Sequence, residues 1–261
     1  MLSSADPAMA TFPDRALIPG LRIGYLTDPG VVRAENQDSL FVPDPDTCDT
    51  AKRGVLVAVA DGMGGHAGGA LASRTAVESL AAFYTDPSVG LPADLLALNR
   101  IEKAHARIQD LQRERPQLKG MGTTLTAVVI TGKSAVLLHV GDSRCYLWRA
   151  GALKLLTSDH TLAARWAQRG TLKVPLASSK SVLTRALGVG LSQVDRGEQD
   201  LQPGDRLLLA SDGLHGVAPE SRIIEILAST PIPWEAAKKL VALAKECGGP
   251  DNVTAILVDV E

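Results

Sequence analysis

The pattern of apolar and polar positions divides the chain into predicted strands and helices. Short runs of apolar and β-branched side chains predict buried strands, which cover residues 54–60, 123–130, 134–140, 144–148, 153–156, 205–210 and 253–260. Apolar or small side chains at helical spacing predict helices, which cover residues 67–84, 95–113, 159–169, 219–228 and 234–246. The segment 171–193 has no clear period and is predicted to be irregular and exposed.

The order of these elements favours an α+β fold. Thr131-Gly132-Lys133 joins two of the predicted strands as a hairpin with a three-residue loop. Helices occur in pairs between groups of strands, and strict alternation of strand and helix is missing. This order disfavours a parallel doubly wound sheet and predicts an antiparallel sheet core covered by helices. Residues 1–20 are predicted to be a flexible N-terminal extension, and residues 21–261 to form one domain.

Composition narrows the class of protein. Among 261 residues, 45% are hydrophobic and 21% are charged, as in ordinary soluble domains. The net charge of −2 argues against a nucleic-acid partner. The three cysteines are scattered and form no CxxC, which argues against a disulfide framework and fits a reducing compartment. Without a signal peptide or a run of about 18 apolar residues, we expect a cytoplasmic protein with no membrane contact.

Aspartates recur at the ends of the predicted strands. A single aspartate at such a place is most simply a turn residue. Several with the same placement indicate a metal cluster at a sheet edge, because hard divalent cations need several carboxylate oxygens brought together. The aspartates are Asp38, Asp61, Asp142, Asp212 and Asp251. The glycine-rich stretch after Asp61 permits close approach of a ligand, and the carbonyl of Gly62 can add one more oxygen.

Arg33 precedes the first of these aspartates by five residues. A guanidinium fork suits a phosphate group because it donates two parallel, charge-assisted hydrogen bonds. Taken alone, Arg33 would be read as a solvated surface charge. Beside a predicted metal cluster it becomes a candidate phosphate-binding residue.

Together these motifs resemble the metal-dependent protein phosphatases of type 2C, the PPM family. The motifs, in chain order, are Arg33-x-x-Asn36-Gln37-Asp38, Asp61-Gly62-Met63-Gly64-Gly65-His66, Met121-Gly122-Thr123-Thr124, Gly141-Asp142-Ser143-Arg144, Ser211-Asp212-Gly213 and Asp251-Asn252-Val253-Thr254. Each motif is weak alone, but six in order are specific. The resemblance runs from about Ile23 to Val260 and is nearest to compact bacterial serine/threonine phosphatases.

The resemblance implies a four-layer α-β-β-α sandwich of two antiparallel sheets flanked by helices. It implies a site of two Mn or Mg ions, with a third and weaker ion at Asp142 and a phosphate at Arg33. The implied catalytic metal ligands are Asp61, the carbonyl of Gly62, Asp212 and Asp251, with Asp38 in direct or water-mediated contact. The irregular stretch at about 163–194 would be a flap beside the site that influences substrate choice.

The implied activity is one-step hydrolysis of phosphoserine and phosphothreonine in proteins. A water shared by two metals would attack phosphorus in line while the metals and Arg33 neutralise the phosphoryl oxygens. The implied partners are phosphorylated substrates of a serine/threonine kinase, and we expect a monomer. The alternative is a catalytically weak relative that binds phosphoproteins through the same cleft. All five aspartates are retained, which favours the enzyme.

Two positions depart from the family pattern. Some members place a histidine directly after the Asp-Gly pair as the proposed acid for the leaving oxygen, and this chain has Met63 there. The acid is then His66, a metal-bound water, or no side chain, and we favour the water. Gln37 replaces a glutamate found in some members, which removes one negative charge near the metals.

Two other motifs have simpler explanations. Gly62-x-Gly64-x-x-Ala67 after a strand resembles a dinucleotide-binding fingerprint, but no second parallel strand follows the helix. A calcium loop beginning at Asp44 would need a glycine at its sixth position and a glutamate at its twelfth, and this chain has neither. Four of the histidines are read as structural at least as readily as functional, and these are His105, His139, His160 and His215.

Overall fold

We describe the protein from a computed structural model. The structure describes residues 16–18, 20–64, 67–88, 90–168, 182–190 and 193–261, with the backbone alone for 16–18, 67 and 168. Outside the described residues lie 1–15 and 19 of the predicted extension, His66, and 169–181 and 191–192 of the predicted flap. Residues 16–18, at the end of that extension, form a short strand that pairs with the next one.

In the described part of the chain, two antiparallel sheets are stacked face to face. The first sheet contains, in spatial order, β1 (Ala16–Ile18), β2 (Leu21–Asp28), β12 (Val253–Val260), β11 (Arg206–Ala210), β8 (Arg144–Arg149) and β9 (Ala152–Leu155). The second contains β10 (Asp195–Asp200), β7 (Ser134–Val140), β6 (Leu125–Thr131), β4 (Val55–Met63) and β3 (Asp38–Phe41), and β5 (Gly122–Thr123) pairs with the end of β4.

Helices cover the outer face of each sheet. In the described residues they are α1 (Thr50–Arg53), α2 (Ala67–Ala81), α3 (Ala93–Glu114), α4 (Leu162–Gln168), α5 (Asp212–His215), α6 (Glu220–Ser229) and α7 (Pro233–Glu246). One core lies between the two sheets, a second packs α2 and α3 on the second sheet, and a third packs α5, α6 and α7 on the first. The predicted four-layer α-β-β-α sandwich is confirmed.

Burial explains why several strands read as unbroken apolar runs. The six residues from Val55 to Ala60 are fully buried, because β4 is covered by the other sheet on one face and by α2 on the other. The same holds for Leu207, Leu208 and Leu209 of β11. The ends of these fully covered strands are therefore where polar side chains first become possible.

Several predicted elements differ from the structure. The hairpin loop between β6 and β7 has two residues, since Thr131 already pairs with Ser134, so the predicted three-residue loop is wrong. Helix α4 begins at Leu162, because the backbone of His160 is bonded to Gly141 and to Thr184. Strands β2 and β10 had no clear sequence signal. β10 is an exposed edge strand of polar residues, and its pairing with β7 forms it.

Candidate metal and phosphate site

Two of the predicted aspartates face each other across neighbouring strands. Antiparallel pairing of β3 and β4 sets Asp38 directly opposite Asp61. Side chains at opposite positions lie on the same face of a sheet, about 5 Å apart at their β carbons. Like charges in this arrangement repel each other, so the register itself creates a place that favours a cation.

Asp38 is buried, and only one of its two carboxylate oxygens has hydrogen-bond partners in the described residues. Its Oδ2 accepts hydrogen bonds from the hydroxyls of Ser211 and Thr254, each at 2.7 Å. Its Oδ1 is buried and has no hydrogen-bond partner in the described residues. Burial raises the pKa of Asp38 to about 7, and the negative charges of Asp212 and Asp251 add to the effect of burial. A cation at Oδ1 would remove both penalties.

The backbone around Asp61 is held by two threonines of the Met121-Gly122-Thr123-Thr124 motif. The Thr124 amide donates to the Asp61 carbonyl at 2.9 Å, and the Asp61 amide donates to the Thr124 hydroxyl at 3.0 Å. The Thr123 hydroxyl also donates to the Asp61 carbonyl, at 2.9 Å. Burial is the main cause that raises the pKa of Asp61 well above its ordinary value. The charges of Asp38 and Asp212 raise it further.

Gly62 lies where no other residue fits. A β carbon at this position would lie 2.2 Å from the carbonyl oxygen of Gly69 and 2.7 Å from that of Gln37. The Gly62 amide donates to that same Gln37 oxygen at 3.1 Å. The close approach packs the end of β4 against the start of α2 and against the loop that leads to Asp38.

Asp142 and Asp212 lie at the ends of β7 and β11. Gly141 turns the chain after β7 with φ +111°, and burial then raises the pKa of Asp142 to about 7, with the charges of Asp212 and Asp159 adding to it. Asp212 begins α5. Burial raises its pKa, the charge of Asp251 adds to this effect, and a hydrogen bond with Asp61 opposes it.

Arg33 and Asp251 are in direct contact. The Arg33 Nη2 donates to Asp251 Oδ2 at 2.8 Å, and the Arg33 side chain is 52% exposed. The other carboxylate oxygen of Asp251 accepts from the Asn252 amide at 2.9 Å. Five aspartates that are distant in sequence are thereby brought to one edge of the sandwich. Burial is the main cause of the raised pKa values of Asp38, Asp61, Asp142 and Asp212, nearby carboxylates add to it, and Arg33 pairs with Asp251.

Asn252 makes contacts around the site that the sequence analysis did not identify. Its side-chain amide donates to the carbonyls of Pro29 and Glu35 at 3.0 and 2.9 Å. Its Oδ1 accepts from the Gln37 amide at 2.8 Å. One side chain thus ties both ends of the loop that carries Arg33 to the start of β12. The only signal in the sequence was its place directly after Asp251.

Histidines support the turn that carries Asp142. The Gly141 amide donates to His160 Nδ1 at 3.1 Å, and the His160 amide donates to the Gly141 carbonyl at 2.7 Å. The His215 Nε2 lies 3.1 Å from the Asp142 carbonyl. Burial lowers the pKa of His215 to about 4, so it is neutral and donates this hydrogen bond. Both histidines contact backbone groups, and His160 Nε2 also lies 3.0 Å from Asp195 Oδ2.

His105 was also read as structural, as a core histidine on an apolar stripe, but it is only half-buried. Its Nδ1 accepts from the Gly188 amide at 3.1 Å. Gln112, further along α3, donates to the Gly188 carbonyl at 2.8 Å. These contacts hold the described second part of the predicted flap against α3.

The arrangement fits hard divalent cations. The candidate ligands are all oxygens, which Mg²⁺ and Mn²⁺ prefer, and one buried carboxylate oxygen lacks a partner. Over the residues that the structure describes, no group of three or more acidic, histidine or cysteine side chains is placed so that it could hold a metal ion. The carboxylates therefore interact electrostatically at this edge of the sandwich without forming a complete coordination shell.

A family model described as protein phosphatase 2C matches residues 32–245. The chain belongs to the protein phosphatase 2C family. Arg33 and four of the aspartates fall in the matched stretch, and Asp251 lies six residues beyond its end. The conclusion agrees with the resemblance drawn from the six motifs.

Curated relatives of the family are serine/threonine phosphatases of bacteria. The chain is 37% identical over 245 residues to the serine/threonine protein phosphatase PstP of Mycobacterium tuberculosis, with 92% of this chain and 45% of the relative covered. It is 35% identical over 242 residues to the serine/threonine phosphatase stp of Listeria monocytogenes, with 90% of this chain and 94% of the relative covered. The chain thus spans less than half the length of the mycobacterial relative.

Solved structures of the family share the fold closely. A crystal structure of the Mycobacterium tuberculosis phosphatase PstP has a TM-score of 0.81 at 35% identity and covers 93% of this chain and 99% of that one. A PstP catalytic domain solved in complex with two manganese ions has a TM-score of 0.80 at 35% identity and covers 92% of this chain and 98% of that one.

Within the described residues, the helices are too short or too polar to cross a bilayer.

Proposed function

We propose that this protein is a Mg²⁺- or Mn²⁺-dependent phosphatase that hydrolyses phosphoserine and phosphothreonine in proteins. The observation that carries the proposal is the group of carboxylates at one edge of the sandwich, in which Asp38 and Asp61 face each other and Arg33 lies against Asp251. Buried groups with strongly perturbed pKa values and a specific charge partner are typical of functional sites. The named relatives support the class of substrate.

Six groups are proposed to hold the metals. Two ions would be bound by Asp61, the Gly62 carbonyl, Asp212 and Asp251, with Asp38 in the same site, and a third, weaker ion by Asp142. When bound, such ions supply a water activated for attack and neutralise charge on phosphoryl oxygens. The PstP domain with two manganese ions supports the pair, and the third ion is our extension.

The remaining residues orient the site. The hydroxyls of Ser211 and Thr254 fix Asp38 Oδ2, so that Oδ1 is the atom offered to a cation. Arg33 is half exposed and shares one N–H with Asp251, and we propose that it binds the phosphate with its other donors. Asn252 holds the loop of Arg33 at a fixed distance from Asp251, which keeps the phosphate-binding group and one metal ligand in register.

The cellular role and the leaving-group acid are further parts of the proposal. We propose that the substrates are products of a serine/threonine kinase, which this enzyme would antagonise as a cytoplasmic monomer. The acid that protonates the leaving oxygen is not Met63, which has no proton to donate. His66→Ala distinguishes the remaining choices, because loss of turnover on phosphoserine but not on an aryl phosphate would assign the role to His66.

The test uses the purified chain with p-nitrophenyl phosphate and phosphothreonine peptides, in Mn²⁺ and in excess chelator. We expect hydrolysis only with metal. Asp61→Asn should lower kcat by about 100-fold or more while circular dichroism stays unchanged, since removing one preorganised charge-stabilising group typically has such an effect. Asp200→Asn, at an exposed position on β10, is the matched control and should retain activity.

Three results would contradict the proposal. Metal-independent turnover would remove the metal from the mechanism. Near-normal turnover of Asp61→Asn would overturn the ligand assignment. Metal-dependent binding of the phosphopeptide without any hydrolysis would favour the alternative of a phosphoprotein-binding relative.

A further inference from the structure

Two apolar side chains are exposed directly before Arg33. Val31 is 63% exposed and Val32 is 69% exposed. Valine is more often buried than exposed, and a single exposed valine needs no explanation. Two in succession form a small exposed apolar surface directly before the residue proposed to bind phosphate.

The backbone under these valines is firmly held. The Val31 amide donates to the Gly249 carbonyl at 2.9 Å, and the Gly30 amide donates to Asp28 Oδ1 at 2.8 Å. Lys245 pairs with the other Asp28 oxygen at 2.9 Å. Together with the bonds of Asn252, these contacts present the valines in a fixed position, so a ligand that covers them would order little additional chain.

A second apolar group includes Met63, which directly follows the Asp61-Gly62 segment. A β carbon on Gly122 would lie 3.0 Å from the Met63 Cε and 3.0 Å from the Val189 Cγ2, so both methyl groups border the same point. Met63 directly follows Gly62, and Val189 is 41% exposed. The residues that adjoin the candidate phosphate and metal groups in sequence are therefore apolar on two separate elements.

We propose that Val31 and Val32 bind apolar side chains that flank the phosphorylated residue of an extended phosphopeptide. The inference rests on the proposed function and adds a substrate class to it. Consecutive α carbons are about 3.8 Å apart, and an extended peptide advances about 3.3 Å per residue. Side chains one to three residues from a phosphate held by Arg33 would thus reach the valines, and apolar side chains would gain most by covering them.

The size of the preference follows from area. Covering about 35 Å² of each valine at about 25 cal/mol per Å² corresponds to a factor of about 4 per valine, and about 10- to 20-fold for both. The assay compares kcat/KM for two phosphothreonine peptides. One carries valine and the other serine at the first and second positions before and after the phosphothreonine, and the two peptides are otherwise identical. The ratio of the two values within one protein is the measured preference.

We expect the unaltered protein to prefer the valine peptide by about 10-fold. Val31→Ser combined with Val32→Ser should reduce the preference to less than about 2-fold, and Val31→Ile combined with Val32→Ile should retain it. Leu91→Ser is the matched control, because Leu91 is 50% exposed in a loop away from these residues, and should leave the preference unchanged.

Three outcomes would overturn the inference. Equal rates on the two peptides in the unaltered protein would do so, and so would a double serine variant that keeps the full preference. In either case continued Mn²⁺-dependent turnover of p-nitrophenyl phosphate would leave the proposed function intact. Absence of that turnover would remove the proposed function and this inference together.

Discussion

Replacing Asp38 with asparagine should stabilise the metal-free protein, increasingly so at high pH. The pKa of Asp38 is raised from 3.8 to about 7 in the folded protein. Each pKa unit corresponds to about 1.36 kcal/mol. Relative to low pH, where Asp38 is protonated in both states, this difference in pKa lowers the stability of the metal-free fold by about 2 kcal/mol at pH 5 and by about 4 kcal/mol at pH 8.

The sign follows from proton binding. Because the folded pKa is the higher one, the folded state retains the proton between pH 4 and 7, and stability decreases as pH rises through this window. Asparagine carries no charge at any pH. The advantage of Asp38→Asn over the unaltered protein should therefore grow by about 2–3 kcal/mol between pH 5 and 8, which is about 5 °C in Tm for a chain of this length.

The assay is thermal unfolding in excess chelator at pH 5, 6.5 and 8. Comparing the two proteins at each pH cancels the contributions of titrating groups that do not interact with Asp38. Asp200→Asn, at an exposed strand position, should show no such trend. With saturating Mn²⁺ the order should reverse, because the cation compensates the carboxylate and not the amide. A difference in Tm between the two proteins that does not change with pH would refute the assignment of Asp38 as a buried carboxylate with a raised pKa that is available to a metal ion.

Three further predictions concern Asn252, Gly62 and His139. Asn252→Ala removes three hydrogen bonds to the Arg33 loop; kcat/KM on an aryl phosphate should fall about 10-fold or more through loss of preorganisation, and Asn99→Ala on the exposed face of α3 should not change it. Gly62→Ala should destabilise the protein by about 3 kcal/mol or more in urea unfolding, since its β carbon would lie 2.2 Å from a backbone oxygen, whereas Gly197→Ala, with its nearest atom at 3.9 Å, should be tolerated. Burial lowers the pKa of His139 to about 4, so the unfolded state takes up a proton first as pH falls below 6.5. Acidification from pH 7 to 4.5 should therefore lower the free energy of unfolding of the unaltered protein by about 2–3 kcal/mol more than that of His139→Gln. Equal acid sensitivity of those two proteins would show that His139 is not buried as a neutral group.

Much of the fold could be predicted because burial leaves a local trace. β4 and β11 are covered on both faces, so their sequences are continuously apolar, and α2 and α3 each bury one stripe. The aspartates were found for the same reason, since a polar residue at the end of such a strand is conspicuous. β10 left no trace, because an exposed edge strand has no apolar face and is formed by pairing with β7.

The sequence by itself determined the kinds of element, the oxygen ligands offered to a cation and the presence of an arginine near them. Only the tertiary structure decided that Asp38 faces Asp61, that Ser211 and Thr254 leave one of its oxygens without a partner, and that Asn252 ties down the loop of Arg33. These partners are separated from one another by as many as 223 residues. Periodicity reports how each segment meets its own surroundings, whereas the choice of partner depends on how distant segments pack.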